Sequence, residues 1–237
     1  MSRANHITKA DLEKLHQPPK GAPGKGCLTR HQKRTPDHQC SHQWHAGERA
    51  KGDWRVYEVP GASHLSVNRP GNFDHFKVPY WHNAHHIIPN GALKGAITKA
   101  GKEKAGLTNC IKQGLLKATY NLNDKINMII LPMEQDVGDL IKLPRHLRGD
   151  GTRRFSHPDY SREAEESLKD IIDSYKQIAL DAINAVEGKH EKPNATLSKT
   201  ALETLSNRLY EDIKKAGQET GGMSLDEITP SLFPGGG

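Results

Sequence analysis

Apolar residues are sparse and clustered in this chain, and their spacing predicts where it folds. The most regular stripe lies late: Leu168, Ile171, Ile172, Tyr175, Ile178, Ala179, Ala182, Ile183 and Val186 recur three and four apart, the period of a helix with one buried face. Ser161 is placed to cap it and Gly188 to end it. A second stripe of Leu202, Leu205, Leu209 and Ile213 predicts a helix that begins near Ser198, after Pro193, and stops at Gly217. Together they predict an antiparallel helical hairpin over residues 162–217, followed by a Gly-rich, disordered tail over 218–237.

Upstream the pattern is shorter and more broken. Between Trp54 and Trp81, aromatic and β-branched residues are interrupted by Pro60, Gly61, Pro70, Gly71 and Pro79, which predicts short strands or extended loops. After His86-Ile87-Ile88-Pro89, a Lys- and Ala-rich stretch over 92–118 predicts one or two helices broken by Gly101, Gly106 and Gly114, with Cys110 buried beside Leu107, Ile111 and Leu115. Met128–Leu131 is a second short apolar run that ends at Pro132, and Glu134–Leu143 reads as a helix. Residues 1–53 hold two potential helical turns at Thr8–His16. The rest is Gly, Pro, His and basic residues with hardly an aliphatic, a composition that cannot bury enough surface to fold alone.

Charge adds a division that the total of +6 over 237 residues conceals. Residues 1–55 carry 11 Lys+Arg against 5 Asp+Glu, residues 56–157 carry 14 against 8, and residues 158–237 carry 9 against 15. Histidine follows the basic part, with 13 of 14 before residue 158. A cationic, histidine-loaded part joined to an acidic part is what a chain needs when it binds and works on a polyanion in one region only. Mean hydropathy is −0.76 and no run of eighteen apolar residues occurs, which predicts no membrane span. Met1–Pro18 offers no apolar core for a signal peptide, so export by the general secretory route is not expected. Three cysteines are too few for a disulfide scaffold.

Candidate chemistry centres on Trp81-His82-Asn83-Ala84-His85-His86-Ile87-Ile88-Pro89. Neighbouring side chains of an extended segment point to opposite sides, so His85 and His86 are expected to do different work. Neutral imidazole is a ligand for Zn²⁺ and related ions, and imidazole also takes a proton from water near neutrality. One histidine holding a metal beside another activating water is what metal-assisted phosphodiester cleavage requires. Elsewhere, Cys27, Cys40, His42 and His45, with His31 and His38, form a candidate structural zinc site that would order the N-terminal arm, although the Cys-x2-Cys knuckle is missing. Arg145, Arg148, Arg153 and Arg154 form a candidate phosphate clamp, and Lys94, Lys99, Lys102 and Lys104 candidate backbone contacts to nucleic acid.

Downstream, Asn127 precedes Met-Ile-Ile-Leu-Pro, and Leu143-Pro144-Arg145-His146 and Ser156-His157-Pro158-Asp159-Tyr160 follow. This ordered set, AHHIIP, N-x3-LP, LPRH and HPxY, resembles the AHH family of bacterial toxin nucleases in the His-Me finger (HNH and endonuclease VII-like) superfamily, over roughly residues 78–161. The resemblance implies a ββα-metal core, a β-hairpin and a helix closing around one divalent metal; joined to the long helical connections and the C-terminal hairpin read from the apolar pattern, this predicts an α+β fold with a nuclease domain over 54–161. By position it implies that His85 is a metal ligand and His86 the general base. It implies that Asn127 orients that base or touches the metal, and that His146 and His157 complete the metal sphere or hold the scissile phosphate. The implied cofactor is one divalent ion, Mg²⁺ or Zn²⁺.

The function so implied is a metal-dependent endonuclease, with DNA favoured over RNA, acting as an antibacterial toxin effector. It would be made in the bacterial cytoplasm, delivered into a target-cell cytoplasm by a machine such as type VI secretion, and countered by a cognate immunity protein. The acidic hairpin is a candidate docking place for that protein, a chaperone or a secretion component. A non-catalytic zinc- and nucleic-acid-binding module is the alternative.

Overall fold

The computed structural model describes Leu28 and residues 82–132, 135–146 and 157–233. The strands expected between Trp54 and Trp81 and nearly all of the N-terminal arm lie outside the described residues, though Leu28 packs, partly buried, against the core.

The apolar run at Met128–Pro132 becomes one strand of the sheet, and the polar, histidine-rich stretch just before Ile87-Ile88 becomes the other. β1 (His82–His86) and β2 (Met128–Pro132) pair antiparallel, with His85 opposite Ile129 and His86 opposite Met128. They are not a tight hairpin, because residues 87–127 intervene and fold as α1 (Asn90–Ala100), α2 (Leu107–Lys117) and a 3-10 turn (Lys125–Asn127). α3 (Gln135–Ile141) follows β2, and then come α4 (Pro158–Ser167), α5 (Lys169–Ala185), α6 (Thr200–Thr220) and α7 (Leu225–Leu232). The protein is therefore helix-rich α+β with a small antiparallel sheet. No helix among the described residues is long and apolar enough to cross a membrane.

Three boundary expectations change. Gly101 and Gly106 do separate α1 from α2, but Gly114 lies inside α2, where an added Cβ would come within 2.7 Å of the Leu197 side chain. It is a packing glycine rather than a breaker. The helical segment that leads into the long stripe begins at Pro158 with His157 in the capping position, not Ser161, and is divided from the stripe's own helix at Leu168. Proline favours the first helical turn because its missing N–H would have no partner there. α6 runs past Gly217, whose Cβ would meet the Leu143 backbone at 2.6 Å, so helix and chain approach closely at that point.

The expected disordered tail is also corrected, since residues 225–232 form α7. Gly221 and Gly222, at φ of 56° and 73°, reverse the chain. Ser224 and Glu227 then make a reciprocal capping box, with Glu227 Oε2 accepting from Ser224 N at 2.6 Å.

The nuclease-like part and the hairpin do not have separate cores. One cluster of buried side chains joins Ile87, Ile88, Leu93, Ile97, Leu107, Ile111 and Leu122 to Ile172, Tyr175, Leu202, Leu209, Ile213 and Ile228. α5 packs on α2, α4 on α1, and α6 on the 3-10 turn. Apart from the buried Asp226, the acidic residues of the C-terminal part are exposed or half-buried while its apolar stripes fill the core, which is why charge alone suggests a boundary that packing erases.

Candidate active site

His85 and His86 sit at the end of β1, and both are buried. The strand's alternation gives them different neighbours, as extended backbone requires. The His85 ring lies 4.6 Å from His157 and 5.3 Å from His146, centroid to centroid, and His146 and His157 are 5.0 Å apart. The potential ligand nitrogens of all three lie within 4.8 Å of one another.

Each imidazole is delivered by a separate constraint. His146 follows the short extended stretch after α3, whose backbone is held on both sides. His146 N donates to Pro132 O at 2.8 Å, Arg145 N donates to Met223 O at 2.9 Å, and Leu225 N donates to Arg145 O at 2.9 Å. His157 stands at the N-terminus of α4, its Nδ1 3.1 Å from Ser161 Oγ one turn later. Tyr160 locks α4 to β1: its hydroxyl donates to Ile87 O at 2.6 Å, and its ring contacts His85 and His157 edge-on at 5.2 and 5.8 Å. Complete burial pushes the Tyr160 phenol far above its ordinary pKa, so it stays a donor. Asp226, from α7, accepts from Tyr160 N at 3.1 Å and so caps α4 from outside.

His86 turns elsewhere. Its Nε2 lies 3.1 Å from Oδ1 of Asn123, which is fully buried. An amide oxygen only accepts, so this bond sets the Nε2–H tautomer and puts the imidazole lone pair on Nδ1. Asn123→Ala is expected to lower cleavage by about ten- to a hundredfold, the range for loss of a partner that orients a functional histidine. Zinc binding, followed by titration, should be unchanged. Equal cleavage by both proteins would reduce the contact to packing.

Asn127, expected to orient the base or touch the metal, bonds through its side chain to the backbone beside the paired histidines and to Ser206 rather than to either imidazole. Its Oδ1 accepts from Ile88 N at 2.7 Å and Ser206 Oγ at 2.9 Å, and its Nδ2 donates to Leu122 O at 2.9 Å and Ile88 O at 3.2 Å. An amide has four such positions, so Asn127 is committed to fixing the backbone just after the paired histidines. Arg145, expected in a phosphate clamp, is turned inward. It donates to Gln135 Oε1 at 2.6 Å and pairs with Glu227 Oε2 at 3.5 Å, with its side chain only 13% exposed.

Lys94 is exposed on α1. Arg148, Arg153 and Arg154, and Cys27, Cys40, His42 and His45 of the candidate zinc site, lie outside the described residues. Sequence reasoning missed Asn123, Ser206 and Asp226 and gave Tyr160 no role. Only Tyr160 had a local signal, the HPxY element.

The donor set fits a divalent ion. On a tetrahedral ion with nitrogen ligands at about 2.0–2.1 Å, neighbouring nitrogens stand about 3.3 Å apart, within reach of small ring rotations from the observed cluster. Three imidazoles suit Zn²⁺ and its transition-metal neighbours better than Mg²⁺, which prefers oxygen.

A small sheet that presents paired histidines to two more from distant segments places the chain among helix-rich α+β proteins with a histidine-built site. Residues 69–190 match the AHH family, described as a nuclease family of the HNH/ENDO VII superfamily with conserved AHH. That match takes in more than half of the chain, and the protein belongs to the AHH family of nucleases. No curated protein and no solved structure matches the chain.

Proposed function

We propose that the protein is a metal-dependent endonuclease that hydrolyses phosphodiester bonds, with DNA the favoured substrate. The observation that carries this reading is the gathering of His85, His146 and His157, with ligand atoms within 4.8 Å of one another, next in sequence to a fourth imidazole tethered separately. The three clustered histidines would hold the ion. A divalent ion, when bound there, would supply Lewis-acid stabilisation of the negative charge that develops as the phosphodiester is cleaved. His86, with Nε2–H fixed by Asn123, takes a proton from the attacking water at Nδ1. The water oxygen bonds to phosphorus, the bond to the 3′ oxygen breaks, and that oxygen gains a proton from solvent. Tyr160 and Asn127 keep His85, His86 and His157 in register throughout.

The biological setting belongs to the same proposal. In this proposal the nuclease acts as an antibacterial toxin effector, with type VI secretion as its route and a cognate immunity protein protecting the producer, the setting that the motif resemblance to toxin nucleases implies. Purified protein should nick supercoiled plasmid, and EDTA should abolish this with recovery on adding Zn²⁺ or another divalent ion. RNA is assayed in parallel. Cleavage indifferent to chelator would remove the metal from the mechanism, and cleavage of neither polymer would leave only a binding protein.

A further inference from the structure

The four lysines after the histidine motif are equivalent in sequence but not in the structure. Lys104 is engaged internally: its Nζ donates to Asn184 Oδ1 at 2.8 Å and pairs with Glu187 at 3.3 Å. Lys94, Lys99 and Lys102 are exposed and make no ion pair among the described residues. With Gly91, Gly95 and Thr98 they line one shallow cleft along α1 and the turn beyond it. The opposite face of α1, Ala92, Leu93, Ala96 and Ile97, is buried in the core. α1 itself contains no acid.

Two glycines in that cleft have different explanations. At Gly95 a Cβ would lie 2.7 Å from the Glu165 carboxylate of α4, the movable end of a flexible side chain that would have to shift. Gly91 has no such neighbour: it lies in the first turn, its φ is not positive, and a Cβ would meet nothing within 4 Å. Glycine in a helix is unfavourable by up to about 1 kcal/mol relative to alanine, so an exposed one that packing does not require points to the close approach of something else.

We infer that this face of α1 is a track for the sugar-phosphate backbone of the nucleic acid, with Lys94, Lys99 and Lys102 each contacting one phosphate and Gly91 admitting the strand closely. The inference rests on the nuclease reading above. α1 begins four positions after His86, so the element that carries the track follows directly in the chain from the paired histidines. Lys94 and Lys99, both on α1, are roughly 7.5 Å apart along the helix axis at 1.5 Å per residue, about two phosphate steps of 3.4 Å along a duplex strand, and Lys102 continues the row in the turn beyond. The competing explanation is that Lys99 and Lys102 only complement the negative end of the helix dipole, which would leave substrate affinity untouched.

The test is binding by fluorescence anisotropy to a labelled DNA duplex and to a single-stranded RNA of the same sequence, across a KCl series. The parent for binding is the full chain with His86→Ala, which stops cleavage during the measurement. Each phosphate contact contributes about 0.9 to the slope of log affinity against log salt on duplex DNA and about 0.7 on a single strand. Lys94→Ala/Lys99→Ala/Lys102→Ala together should lower the slope by about 2.7 on the duplex and about 2.1 on RNA. Lys104→Ala should leave it unchanged. Gly91→Leu should weaken binding at every salt concentration with the slope preserved.

A reduction of at least one on either polymer supports the track, and a reduction confined to one names the polymer that it serves. A triple variant that stays folded by circular dichroism with a slope reduced by less than one, or a Lys104→Ala slope reduced as much as that of the triple variant, overturns it. If the wild-type chain cuts and the parent binds normally in either of those cases, the nuclease reading survives. If the wild type cuts neither polymer and the parent binds neither, both fall.

Discussion

Substituting His86 with alanine is expected to slow phosphodiester cleavage by about 10²- to 10⁴-fold, the range for a lost general base, while metal uptake is retained. His85→Ala should lose both. The contrast follows from adjacent residues on one strand meeting different neighbours, His85 the rings of His146 and His157, and His86 the amide of Asn123. The measurement pairs plasmid cleavage with zinc titration for each variant. Loss of metal from the His86→Ala protein, or its retention with full affinity in His85→Ala, would mean that the division of labour between the two imidazoles is wrong. Growth of bacteria expressing each variant extends the test to toxicity, which both changes should abolish.

Asn127→Ala is expected to be the most destabilising single change near the site. It strands the Ile88 N–H and the Ser206 hydroxyl and leaves two carbonyls short of a donor, all in a region without water access. At about 1–3 kcal/mol for each unsatisfied buried group, with partial relaxation, the cost is roughly 3–5 kcal/mol, a large part of a typical domain's stability. A fall in Tm of roughly 10 °C or more should follow. Ser206→Ala removes only one donor and should cost about 1 kcal/mol. If the two variants melt together, the amide is not the clamp that its four hydrogen bonds describe.

What could be read from the residues, and what could not, separates along a physical line. The strand at Met128–Pro132, the helices around Leu93 and Ile111 and the long stripe from Leu168 follow from local pattern, whereas the strand His82–His86 has no apolar alternation to announce it. The histidines at 85, 146 and 157 were legible through the family's ordered motifs, which no spacing rule would have supplied. Asn123 was not legible, because its contact with His86 spans 37 positions and nothing in Asn-Leu-Asn-Asp distinguishes it from a turn. Ser206, 79 positions from Asn127, is a polar residue on a buried helix face with no local reason to be there.

Other misses had signals that were outweighed. Pro158 marks the start of α4, but the apolar stripe does not begin until Leu168. Ser224-Leu225-Asp226-Glu227 has the spacing of a capping box, hidden between glycines and a helix that contains Pro230. Arg145 resembled a phosphate ligand by composition, and only the fold shows Gln135 and Glu227 using its guanidinium.

The clasp between Tyr160 and Asp226 and the bond from Ser206 to Asn127 both draw on residues beyond position 190, where the family match ends. During translation the histidines leave the ribosome well before α6 and α7. A partly synthesised chain that stops short of α7 therefore lacks the pieces that hold them in place, and the producing cell meets an assembled centre only after α7 has been made.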